Sequence, residues 1–569
     1  LTGLGIYIRR DFLLLLETKK LEKWFGARKL FSDINFNIYS GDRIALIGRN
    51  GTGKTTMINV LLGRDIDFSG EVNKKTNIGY LPQYYNYSEE QTVEEFLTEK
   101  TYDYGEFLKL MKKFGFEVGF LDRKIAKCSG GEQTKLQLIR LLAAQKVDLL
   151  ILDEPTNHLD LESRDWLASF ISDFEGAVLI ISHDRYFLDQ TVKEIWELNQ
   201  QELKTYSGNY SEYKKQKEIE LQRQYREYEE YQAEKKRLKQ RKRKQQQFVQ
   251  KTDGKGKRTD SFWHVTKGSD RRKGRFAKRV KSLESQIEKL EQKEKPFEHR
   301  QINPDFERKE IASQIIVEAK DLTKSFIDLN LFENINFKIE KDSKIALMGA
   351  NGSGKSVLLK IILENIKKDS GELLKSSQLK IGYFSQKIEN LNPDNTLLEE
   401  MKLKNPDKDQ EIIRTFLGSM LFEGEDVFKK IKDLSIGERV RAAFAVLLLG
   451  KFNLLLLDEP LNHLDIESRE IIEKALKNYN GAFVVVSHNR YLIEEIAQEI
   501  WQLKEGNLEV FPGSYNQYQK FKKGEYKSGE DLDQEIIQMK KAELYAKLEE
   551  ASAEEKEKII NELEALRDR

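Results

Sequence analysis

The octapeptide Gly48-Arg49-Asn50-Gly51-Thr52-Gly53-Lys54-Thr55 recurs 301 positions later as Gly349-Ala350-Asn351-Gly352-Ser353-Gly354-Lys355-Ser356, and the same motifs follow each copy in the same order. A chain built in this way folds the same unit twice. Before the loops, Leu30–Phe36 parallels Leu331–Phe337; at the far ends, Tyr206–Tyr213 parallels Phe511–Tyr518. At 569 residues the chain has room for two such domains and some extra sequence. In the first half the apolar runs Ile44–Ile47 and Leu149–Leu152 alternate with helical patterns; Ile345–Met348 and Leu454–Leu457 do so in the second. That alternation predicts an α/β fold around a buried sheet.

A glycine-rich loop between a strand and a helix lets backbone N–H groups close around phosphate oxygens, where the helix dipole favours negative charge. Lys54 and Lys355 are placed to reach the β- and γ-phosphates of a nucleotide, and the hydroxyls of Thr55 and Ser356 to reach Mg²⁺. The later apolar strands end in Asp153-Glu154 and Asp458-Glu459. The aspartate holds the metal, and the glutamate orients or deprotonates an attacking water. Both pairs are followed by Pro, by Asn-His-Leu-Asp (Asn157–Asp160, Asn462–Asp465), and then by Ser182-His183 and Ser487-His488.

These residues resemble the ATP-binding-cassette superfamily across both halves. Its signature motif reads Cys128-Ser129-Gly130-Gly131-Glu132 in the first half and Leu434-Ser435-Ile436-Gly437-Glu438 in the second. The resemblance implies two ATP molecules sandwiched head-to-tail, with Ser129 and Gly131 facing the Lys355 site and Ser435 and Gly437 facing the Lys54 site. Ile436 departs from the family's glycine, and a side chain there is expected to crowd the Lys54 site. Gln83 and Gln386 match the loop that senses metal and γ-phosphate, and His183 and His488 match the γ-phosphate switch. Phe25 and Phe326 match the aromatic stacked on adenine, with packing in the core as the alternative.

Between the halves the sequence changes character. From Lys235 to Lys281, 20 Lys or Arg face three acids, although the whole chain carries a net charge of only +1. Such segregation points to a polyanion contact on an otherwise acidic body. Lys214–Gln250 has no Gly or Pro and reads as one long helix. Thr252–Gly274, with four glycines, breaks it, and Arg275–Lys295 resumes with Val280, Leu283, Ile287 and Leu290 on one stripe. The pattern predicts an antiparallel hairpin with a basic tip; a solvated, disordered linker is the alternative. Phe248, Phe262, Trp263 and His264 lie among Lys255, Lys257, Arg258, Arg271, Arg272, Lys273 and Arg275, the mixture that contacts phosphates and stacks on unpaired bases. Tyr225, Tyr228 and Tyr231 read instead as helix packing.

Cys128 is the single cysteine, which excludes a disulfide framework and cysteine zinc modules and fits a cytoplasmic setting. No apolar run approaches the roughly 18 residues of a membrane helix. Ala442–Gly450 reads as a buried helix, and the leucines at 13–16 are too few for the core of an export signal.

Twin cassettes, a charged helical linker and the strings Ser182–Tyr186 and Ser487–Tyr491 resemble the ABC-F family in particular. The implied organisation is a lead-in at 1–16, cassettes at 17–213 and 315–523, a linker at 214–314 with its tip at about 246–276, and a helical extension at 524–569. The expected activity is ATP hydrolysis with Mg²⁺ by a monomer bound to the 70S ribosome, with no membrane partner. The spacing from Gln83 to Ser129 is 46 positions against 49 from Gln386 to Ser435, so the first half holds no extra arm. That resembles the antibiotic-resistance branch, which enters the tRNA exit site and aims its tip at 23S rRNA and the P-site tRNA, displacing drugs from the peptidyl-transferase region. The alternatives are a housekeeping translation factor and the soluble ATPase of a membrane transporter.

Overall fold

The computed structural model describes residues 13–83, 87–88, 90–98, 104–144, 146–157, 159–199, 201–253, 266–290, 312–326, 329–385, 391–422, 424–462 and 464–523. The chain divides into two compact units: the two α/β halves together, and the segment Ser211–His299.

Each half is built on a six-stranded sheet. In the first the strand order is Ile78–Leu81, Leu149–Asp153, Ala177–Ile181, Arg43–Ile47, Glu194–Asn199, Glu202–Ser207; all neighbours run parallel except the last pair. The second half repeats it as Ile381–Phe384, Leu454–Asp458, Ala482–Val486, Lys344–Met348, Glu499–Lys504, Asn507–Phe511. The central strands are buried along their whole length, which explains runs such as Leu454–Leu457 that do not alternate. A three-stranded antiparallel sheet adjoins each, built from Leu14–Phe25, Arg28–Tyr39 and Ser69–Lys74 in the first half. Leu15 and Leu16 are fully buried in that sheet and are core residues, whereas Leu13 is 70% exposed. The ring pair Phe36–Trp196 in one half returns as Phe337–Trp501 in the other, at 4.4 and 4.8 Å between centroids. Among the described residues no helix is long and apolar enough to cross a membrane.

The segment between the halves holds a 44-residue helix, Tyr210–Asp253, and a second helix, Thr266–Lys289. Tyr231, Leu238 and Leu283 are buried and Val280 and Ile287 half-buried, while Lys242 pairs with Glu284 at 2.7 Å, so the two helices pack along the expected stripe. The second helix begins nine residues before the expected Arg275, and it runs through Gly268 and Gly274. Each glycine costs about 1 kcal/mol relative to alanine in a helix interior, which a 24-residue helix with a packed face absorbs. The break expected over 252–274 is therefore shorter than the glycines suggested. The expected helices at 527–569 lie outside the described residues.

Candidate active sites between the two halves

The loop Gly48–Thr55 joins the strand Arg43–Ile47 to the helix Lys54–Leu62. Gly51 and Gly53 have φ of +78° and +101°, and a Cβ on Gly48 would meet the Leu198 carbonyl oxygen at 2.5 Å. A Cβ on Gly349 would meet the Leu503 carbonyl oxygen at the same 2.5 Å, so the cradle is built twice. Lys54 is buried and its Nζ donates to the carbonyls of Gly48 and Arg49 at 2.6 and 3.0 Å; Lys355 does the same to Gly349 and Ala350, both at 2.8 Å. Thr55 Oγ1 lies 3.5 Å from Asp153 Oδ2, and Ser356 Oγ donates to Asp458 Oδ1 at 3.0 Å. Burial pushes both aspartates above the usual carboxylate range.

Glu154 and Glu459 sit one residue beyond the strand ends with φ of +51° and +48°. His183 Nε2 lies 3.3 Å from Glu154 Oε1, and His488 Nε2 lies 3.6 Å from Glu459 Oε1. Burial pushes both glutamates up to about 7, opposed first by Arg469 at Glu154 and by Arg164 at Glu459, then by the loop lysines. Burial also drives His183 well down and His488 down to about 3, so both imidazoles are neutral. Several buried polar atoms here have no hydrogen-bond partner: His183 Nδ1, both ring nitrogens of His488, and the Ser353 hydroxyl. Buried polar groups without partners are costly, and a phosphate-bearing ligand in the glycine cradle supplies acceptors.

The site is shared between the halves. A cavity of about 590 Å³ is lined by Lys54, Thr55, Gln83, Asp153, Glu154 and His183 of the first half and by Ser435, Ile436, Gly437 and Arg469 of the second. Phe25 also lines it and is 76% exposed, and Phe326 is 51% exposed, so neither ring serves core packing. Ile436 opens the helix Ile436–Leu449 and is half-exposed beside the cavity. Its φ is not positive, so the backbone accepts a β-branched residue there. Ser129 and Ser435 both form capping boxes, with Glu132 and Glu438 respectively. Gly131, in the first turn of the helix Gly130–Ala144, lies against Ser163, whose Oγ would be 2.2 Å from an added Cβ. Gln386 lies outside the described residues.

Other contacts cross between the halves; Arg49 and Asn50 of the phosphate loop make some of them, while Arg164, Arg469, Glu467 and Glu473 had been given no role from the sequence. The Asn50 amide donates to Asp465 at 3.1 Å, and Arg49 forks onto Glu467. Arg469 Nη1 donates to the His183 carbonyl at 2.7 Å, and Arg164 Nη1 donates to the His488 carbonyl at 2.8 Å. Arg185 binds Glu473 and lies 4.6 Å from the Tyr491 ring, while Arg490 binds Asp165 and lies 4.5 Å from the Tyr186 ring. One signal was available: Arg164, Arg185 and Tyr186 recur 305 positions on as Arg469, Arg490 and Tyr491, in the same register as Asp160 and Asp465.

Of the linker residues proposed to contact RNA, Phe248 lies on the helix Tyr210–Asp253, and Arg271, Arg272, Lys273 and Arg275 lie on the helix Thr266–Lys289, with Arg275 exposed. Lys255, Lys257, Arg258, Phe262, Trp263 and His264 lie outside the described residues.

A family model described as ABC transporter matches residues 31–157 and again 332–462, and a second of the same description matches 196–307. ABC transporter F family member 5 of Arabidopsis thaliana is 32% identical over 88% of this chain and 77% of its own. The energy-dependent translational throttle protein EttA of Escherichia coli (strain K12) is 32% identical over 87% of this chain and 93% of its own. The solved structure of RNase-L Inhibitor superposes with a TM-score of 0.57 at 17% identity, over 89% of this chain and 92% of that one, a likeness of fold alone.

Proposed function

This chain belongs to the ABC-F family of tandem ATP-binding-cassette ATPases, and on that premise we propose that it binds the ribosome and couples ATP-driven closure of its cassettes to insertion of the basic hairpin into ribosomal RNA. The observation that carries the reading is the composite cavity, where the lysine, glutamate and histidine of one cassette meet the signature of the other. Such a site is complete only when the cassettes are closed, so nucleotide state becomes a mechanical state.

In the proposed mechanism, Lys54 and Lys355 bind the β- and γ-phosphates, and the loop amides cradle them. Gln83 and Gln386 sense the metal, Phe25 and Phe326 stack on adenine, and Ser129, Gly131, Ser435 and Gly437 close over the γ-phosphate from the facing cassette. Thr55 with Asp153 and Ser356 with Asp458 are the residues that would hold Mg²⁺, whose charge neutralises the phosphate oxygens. Glu154 and Glu459 orient and deprotonate water; neutral His183 and His488 contact the γ-phosphate without adding charge. Hydrolysis then opens the cassettes and releases the ribosome.

The finer proposal is that the tip, about 246–276, reaches from the tRNA exit site toward the peptidyl-transferase region and displaces lincosamides, pleuromutilins or streptogramins. It rests on the unextended first cassette and on cations interleaved with rings. A second reading, a housekeeping translation factor, is favoured by the match over 93% of a relative named as a translational throttle. The Glu154→Gln, Glu459→Gln double variant is expected to co-sediment with 70S ribosomes in ATP while hydrolysis falls by about 10²-fold or more. A variant that stays free of ribosomes defeats the ribosomal proposal. Inhibitory concentrations for large-subunit drugs in a susceptible host separate the two readings, since only drug displacement raises them.

A further inference from the structure

We propose that Arg164 and Arg469 are positioning residues that act in trans, each crossing the interface to bond the backbone carbonyl of the histidine in the opposite site and so fixing the glutamate–histidine pair there. The inference rests on the roles proposed above for Glu154, Glu459, His183 and His488. Both arginines lie in the first turn of a helix whose N-cap is an interface aspartate, Asp160 or Asp465. The Nε of each is tied to its own loop, donating to Leu159 or Leu464 at 3.0 Å. The tether aims the outer nitrogen outward, where it meets the opposite histidine carbonyl at 2.8 or 2.7 Å. The same atoms make the same bonds in both directions.

Chemistry argues against filler. Arg469 is buried and lines the Lys54 cavity, and a buried guanidinium is tolerated only where its donors and charge are met. What meets it is a carbonyl within the site, with the Glu154 charge the foremost influence holding it charged against burial. Arg164 divides Nη1 between the His488 carbonyl and Asp184, both at 2.8 Å. Arg185 and Arg490 also cross the interface, but they bind side-chain carboxylates of the facing helices, Glu473 and Asp165. They join the halves; Arg164 and Arg469 join one half to the other's site.

The pattern predicts crossed effects. With ATP and Mg²⁺, Glu459→Gln leaves only the Lys54 site competent, and Glu154→Gln only the Lys355 site. Arg469→Met should lower kcat about 30-fold in the Glu459→Gln protein with little change in KM, and the loss should be at least about fivefold smaller in the Glu154→Gln protein. Arg164→Met should show the reverse order. Arg469→Lys, which keeps a donor, should recover part of the rate, and its ratio between backgrounds decides the matter if methionine unfolds the protein. Equal losses in the two backgrounds would overturn the proposal and leave the arginines as interface packing. Continued hydrolysis by the Glu154→Gln, Glu459→Gln parent would instead overturn the assignment of the glutamates.

Discussion

Glu154 and Glu459 occupy left-handed backbone, which for a non-glycine residue costs on the order of 1 kcal/mol and persists only where surrounding structure imposes it. Here the strand-end amides do so: Glu154 N donates to Ile181 O at 2.8 Å and Glu459 N to Val486 O at 3.0 Å. Burial pushes both carboxyls up to about 7. A base acts only when ionised, so single-turnover hydrolysis is expected to rise as pH increases from about 6 to 8 and to fall as protons are added. A pH–rate profile checks this, and a flat profile over that range would contradict it. Ile436 makes a second case at this scale. Ile436→Gly should cost up to about 1 kcal/mol of helix stability yet speed turnover at the Lys54 site in the Glu459→Gln protein, by opening the cavity beside the signature. The loops, carboxylates and histidines were legible because phosphate chemistry demands those residue types in a fixed order. Arg469 was not, since its partner His183 lies 286 positions away and nothing local marks the pair.

Elements were legible where one face alone decided them. The stripe Val280–Leu290 announced a helix because apolar side chains three and four residues apart share a face, and Leu283 is buried on that face. Glycine count misled at Gly268 and Gly274, because propensity is a weak prior against packing over six turns. Leu283→Ala should cost about 2 kcal/mol of local stability, at the low end for a buried leucine. It should show as earlier protease cutting within 211–290, with ATP hydrolysis unchanged. The exposed basic residues answer to a different force. Arg275→Glu should weaken RNA binding uniformly across sequences and flatten its dependence on salt, because phosphate contacts release counterions. Filter binding to structured RNA between about 50 and 200 mM salt measures the slope.

For the whole molecule, the two cassettes meet through a pseudo-twofold interface whose symmetry fails where Ala350 stands in place of Arg49 and again at the pairs made by Arg185 and Arg490. Arg185 is buried and forks onto Glu473, with Glu470 at 3.4 Å. Its counterpart Arg490 meets only Asp165 among the carboxylates of the facing helix, and Asp165 is 52% exposed, because Ala168 stands where Glu473 stands in the other half. A buried, two-pronged pair and a half-exposed single one do not resist opening equally. Removing one partner of the buried pair leaves a charge without compensation and costs about 3–5 kcal/mol, whereas an exposed pair contributes about 1 kcal/mol or less. Arg185→Ala is therefore expected to weaken ATP-driven closure by about 10²-fold or more, and Arg490→Ala by less than about tenfold. Fluorescence transfer between dyes on the two cassettes, titrated with ATP in the Glu154→Gln, Glu459→Gln protein, reads both. Arg185→Met combined with Glu473→Leu should restore much of the closure, since apolar groups of similar volume remove the stranded charge. Equal effects of the two arginines would mean that the cassettes part evenly, and that the asymmetry in sequence carries no mechanical consequence.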